Sequence, residues 1–121
     1  MYQDIVKFFL KSQAQLKLLH WQTKSYSKHK VFEDIYEELE EMSDEFVEAF
    51  QGKYGRIFLE NAPIELININ DDKINTMAQE NIQFLEIQLT SLLNEHDVDL
   101  LGIKDDMILQ WNKLRYLLSM D

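Results

Sequence analysis

The chain has 121 residues, 45% of them hydrophobic and 28% charged, with no cysteine and a formal net charge of −10 from 22 acids against 12 bases. That length supports one domain around a single core, and the lack of cysteine excludes thiolate catalysis, iron–sulfur ligation and disulfide staples. The acidic balance opposes binding to phosphate backbones, so no nucleic-acid partner is expected, and it favours cations.

The first residues, MYQDIVKFFLK, show no basic leader followed by an apolar run. No apolar stretch reaches the ~20 residues that a membrane helix needs. A cytoplasmic protein with no membrane partner is the expectation. The single proline and three glycines fall at Gly52, Gly55, Pro63 and Gly102. The long segments between them are free of both residue types, as helices require.

Four helices are predicted, at about residues 3–24, 29–51, 71–96 and 103–120, forming one domain over 1–121. In the first, Ile5, Phe9, Ser12, Leu16, Leu19 and Thr23 recur at helical spacing. Val6, Leu10, Leu18 and Trp21 lie off that face, and a second apolar patch of this kind points to a subunit contact. The stripe of the second helix is Phe32, Ile35, Leu39, Met42, Phe46 and Phe50. The third carries Ile74, Ala78, Ile82, Leu85, Leu89 and Leu92, and Asp71 or Asp72 is placed to cap it. Ile103, Met107, Trp111, Leu114 and Leu118 mark the last helix, with Asp99 near the turn that leads into it.

Short breaks near 25–28 and 97–102 imply two antiparallel hairpins, and the stretch from Gly52 to Asn70 is long enough to cross between them. An all-α four-helix bundle with one long crossover has the ferritin-like topology.

Two features carry chemistry. Glu37, Glu41, Asp44 and Glu48 form one line along the second helix, roughly opposite its apolar stripe. Such a line is ordinarily a solvated face, yet Asp44 and Glu48 are one turn apart, where two carboxylates can hold one hard cation. His20 and His29 flank the first break. The glutamate three residues before histidine that marks single-chain di-iron bundles is absent: Lys17, Tyr26 and Leu93 stand at those positions.

Leu19-His20-Trp21, a short break, and then HKVFEDIYEELEEMSDEFVE resemble the Dps family of miniature ferritins, in a shortened form without a basic DNA-binding tail. The spacing from His29 to Asp44 and from Asp44 to Glu48 matches that family's motif. The resemblance implies that His20, His29, Asp44 and Glu48 are metal ligands. It also implies iron as the metal, with zinc or manganese accepted by the same donors, and ferroxidase-type oxidation or sequestration of iron(II).

His29 and Asp44 are fifteen residues apart on one helix, roughly 22 Å along its axis at 1.5 Å per residue. The ligand set is therefore expected to be completed across a two-fold homodimer that joins first and second helices. Two other functions stand beside this one. One is a non-enzymatic helical assembly or interaction protein without metal chemistry. The other is a MazG-like nucleotide pyrophosphohydrolase, suggested by Glu37, Glu40, Glu41 and Asp44, although Glu80 and Glu86 lack the second acidic pair that such an enzyme needs. His96, in NEHDVD, is read as a helix-end or loop residue and not as a ligand.

Overall fold

The computed structural model describes residues 2–120, which form four helices and no strand. Helix α1 runs Gln3–Gln22 and buries Ile5, Phe9, Ser12, Gln15, Leu16 and Leu19, one face at spacings of three and four. Helix α2 runs Tyr26–Tyr54, starting three residues earlier than the sequence suggests. The reason is Ser25, whose hydroxyl accepts the Lys28 N–H at 3.3 Å and so caps an additional turn. The helix closes at Gly55, whose N–H bonds the Gln51 carbonyl at φ 90°, a backbone region that suits glycine. The stripe of α2 is as expected except that Ser43 is buried, its hydroxyl donating to the Leu39 carbonyl at 2.7 Å, while Met42 is half-buried.

Residues 55–70 adopt no helix or strand. Asp71 and Asp72 belong to a short 3₁₀ turn, Asp71–Lys73, and neither side chain caps the next helix; Asp71 instead pairs with Lys28 at 3.1 Å. Helix α3 runs Ile74–Gln83 and continues into a π-helical segment, Phe84–Leu89, ending well before the expected boundary. Helix α4 runs Val98–Leu118, beginning five residues earlier than expected and so adding Leu100 to the core.

The core is a single cluster drawn from all four helices. Trp111, Phe32, Phe46 and Phe50 are its largest fully buried side chains. Phe9 meets Phe46 edge to face at 5.4 Å, which ties α1 to α2. Helix α2 packs against both α1 and α4, and α3 packs against α4. The flank between α1 and α3 is much more sparsely closed, bridged by Phe8 stacked on Phe84 at 4.1 Å. Among the described residues, no helix is long and apolar enough to cross a membrane.

Candidate functional site

The α1–α2 turn is the short stretch 23–25, and its tightness brings the two histidines together. The Thr23 N–H bonds the Leu19 carbonyl at 3.0 Å, ending α1, and the Ser25 N–H reaches the Thr23 hydroxyl oxygen at 3.2 Å. His20 then lies in the last turn of α1 and His29 in the first turns of α2. Their rings stack with centroids 3.8 Å apart and planes inclined by 23°.

The hydrogen bonds between them are reciprocal. His20 Nδ1 is 3.0 Å from the His29 carbonyl, and His29 Nδ1 is 2.9 Å from the His20 carbonyl. A carbonyl can only accept, so both Nδ1 atoms carry the hydrogen. In the neutral ring each Nε2 therefore keeps its lone pair. Neither Nε2 has a hydrogen-bond partner among the described residues. The His20 carbonyl belongs to the last turn of α1, where no further helical N–H can reach it, so His29 also acts as a cap on that helix.

Aromatic and charged groups surround the pair. Tyr26 extends the stack, its ring 6.3 Å from His29, and it is 77% exposed. Trp21 is 68% exposed, with the Lys17 ammonium 5.9 Å from its ring centre and 4.7 Å from that of Tyr36. Glu33 lies one turn beyond His29. Its hydrogen bond to Lys30 at 2.9 Å holds its carboxyl below the ordinary range, and the Lys30 charge and the two histidines act in the same direction.

Asp44 and Glu48 are exposed on α2, one turn apart. Because α2 is unbroken from Tyr26 to Tyr54, His29 and Asp44 stay roughly 22 Å apart along it. The structure brings His20 to His29 and keeps both away from the two carboxylates. No group of three or more His, Cys, Asp or Glu residues among the described residues is arranged to hold a metal ion. A two-imidazole donor set suits iron, zinc or manganese but leaves coordination positions to be filled from elsewhere. His96 is exposed in the turn before α4, its Nε2 3.6 Å from Glu95.

A second polar cluster was not anticipated from the sequence. Asp97 is buried at the start of α4 and accepts the Tyr54 hydroxyl at 2.6 Å, the Asn94 N–H at 3.0 Å and the Lys53 ammonium at 3.1 Å. These bonds, the tyrosine's first, bring its carboxyl down to about 2. Lys53 also binds Asp99, so the end of α2 is fastened to the start of α4. Its one local sequence signal is the spacing Asn94-x-x-Asp97, at which the carboxylate accepts a backbone N–H three residues back.

The family of unknown function DUF5856 matches residues 20–118, most of the chain, and the chain belongs to it. The chain is also similar to the uncharacterized 14.6 kDa protein in the mobD-ri intergenic region of Enterobacteria phage T4. The two are 28% identical over 118 residues, covering 98% of this chain and 88% of the phage protein. No solved structure matches the chain significantly.

Proposed function

We propose that this member of the DUF5856 family binds a first-row transition metal, iron(II) by its resemblance to Dps proteins, at a site begun by His20 and His29 and completed by Asp44 and Glu48 of a second copy. One observation carries the reading. The reciprocal Nδ1 bonds fix both imidazoles in the tautomer whose Nε2 is a donor to metal, and a ligating histidine is ordinarily held by a carbonyl or carboxylate in just this way.

In this reading α1–α2 and α3–α4 are the two antiparallel hairpins of a ferritin-like bundle, with 55–70 as the crossover. Two α2 helices packed antiparallel about a two-fold axis would set His29 of one protomer beside Asp44 and Glu48 of its partner, with His20 carried along in the hairpin. When bound, iron(II) supplies one electron for the reduction of oxygen or peroxide. His20 and His29 of one protomer, with Asp44 and Glu48 of its partner, would hold the ion. Zinc or manganese would fit the same donors, zinc without that redox step. The function is then sequestration or ferroxidase-type oxidation of iron in the cytoplasm.

A second reading, a helical assembly protein without metal chemistry, is favoured by the crossover, where Phe58 is 78% and Ile67 is 53% exposed. Anaerobic iron(II) titration, with mass measured by light scattering, separates the two. Mixing a His20→Ala/His29→Ala chain with an Asp44→Ala/Glu48→Ala chain should restore one site per heterodimer, while either homodimer binds no iron. Dimers that bind no metal at any ratio support the assembly reading. Full metal binding by a monomer overturns the shared site.

A further inference from the structure

The sparsely closed flank between α1 and α3 holds a cavity of about 470 Å³, far from the histidine pair in character and in lining. Its size falls in the range of small-molecule sites, roughly 300–1,000 Å³. The apolar part of its wall comes from Phe8, Met77, Phe84, Ile67 and Ile69. Phe8 and Phe84 lie nearly parallel, inclined by 9°, so Phe84 commits one face to Phe8. The other face of Phe84 meets no aromatic ring among the described residues.

Phe84 opens the π segment, and a widened turn of this kind inside a helix is common at functional sites. The Thr90 hydroxyl donates to the Leu85 carbonyl at 2.9 Å, which satisfies backbone inside that wide turn. Across the cavity, the buried Gln15 holds the crossover in place through Ile67 and so fixes that wall.

The charge of the lining runs against that of the chain. Lys11 and Lys73 face one acid, Glu80, in a protein of net charge −10. Neither lysine makes an ion pair among the described residues. The adjoining hollow shares Phe8, Lys11 and Phe84 and adds Lys7 together with Asp4. Aromatic and thioether surface beside two unpaired ammonium groups is complementary to a flat apolar body that bears one negative charge.

We propose that this flank is a binding site for a small planar aromatic carboxylate, which stacks against Phe84 and places its anionic group between Lys11 and Lys73. The site is independent of the metal reading. The test is calorimetric titration with three probes: 2-naphthoate, the neutral 2-naphthalenemethanol, and decanoate. Naphthoate should bind one per chain, with the alcohol and decanoate each weaker by about tenfold or more. Lys11→Gln/Lys73→Gln alters only exposed side chains, and its fold is checked by circular dichroism. That variant should weaken naphthoate by about tenfold and leave the alcohol unchanged, while His20→Ala/His29→Ala should leave naphthoate binding intact. Absence of saturable naphthoate binding overturns the site. Decanoate binding more tightly overturns the aromatic assignment, and equal losses for acid and alcohol overturn the anionic one.

Discussion

Gln15 grips Ile67 through both ends of its amide: Nε2 donates to the Ile67 carbonyl at 2.6 Å, and Oε1 accepts the Ile67 N–H at 3.2 Å. A buried side chain on α1 thereby takes the place of a neighbouring strand for one residue of the crossover. Residues 55–70 form no ladder or helix of their own, so this grip, the Ile57 N–H to Gln51 bond at 3.0 Å and the Gln22–Asn68 bond at 2.8 Å locate the segment.

Replacing Gln15 by Leu should free the crossover more than it unfolds the bundle. Ile67 lies in an exposed stretch, so water can replace the bonds lost to its N–H and carbonyl, and the expected loss of global stability is about 1 kcal/mol. Amide exchange at Ile67 should accelerate far more than exchange at core positions such as Phe46. Equal acceleration at both would show that the grip is part of the cooperative core.

Asp97 gives the protein an acid limit. Its carboxyl titrates at about 2, below the ordinary aspartate value near 3.8, because Tyr54, Asn94 and Lys53 favour the charged form. A depressed carboxylate contributes stability that is complete above the unfolded value and is lost as pH falls toward the folded one. Tyr54→Phe should lower the melting temperature at pH 7, and the difference from wild type should narrow as pH falls from 4 toward 2. Thermal melts across that interval check the sign, and a gap that widened in acid would be inconsistent with this account.

The histidine clasp makes a spectroscopic prediction that needs no metal. In the neutral rings, nitrogen shifts should report Nδ1–H for both His20 and His29. His29→Ala should cost about 1 kcal/mol by leaving the His20 carbonyl uncapped. An Nε2–H tautomer at either residue would remove the observation on which the metal reading stands.

The helices were legible because their apolar residues repeat at the helical period, and that period survives into the buried faces of α1, α2 and α4 with few exceptions. Boundaries were less legible, since caps decide them. Ser25 extends α2 backward by one hydroxyl bond, and α4 begins at Val98, five residues ahead of its apolar stripe at Ile103. The pairing of His20 with His29 was foreseen only as proximity; the reciprocal bonds depend on the exact phase of two helices across a short turn. Asp97 was missed because its partners Tyr54 and Lys53 are more than forty residues away in sequence. The π segment left no trace in the pattern either, because Leu85 and Leu89 are buried in it as they would be in an α-helix.

That widened turn bears on how the chain tolerates changes in length. A π turn carries one residue more than the α-helical ladder needs, closing at i+5 where an α-helix closes at i+4. Loss of one exposed residue there, Glu86 or Gln88, would let the ladder tighten and would leave the phase of everything after it nearly unchanged. The same loss within Ile74–Gln83 would turn each later side chain by about 100°, carrying Leu85 and Leu89 out of the core. Relatives that differ by a single residue in this helix are therefore expected to gain or lose it between Phe84 and Leu89, and those without it would have a narrower cleft beside α1.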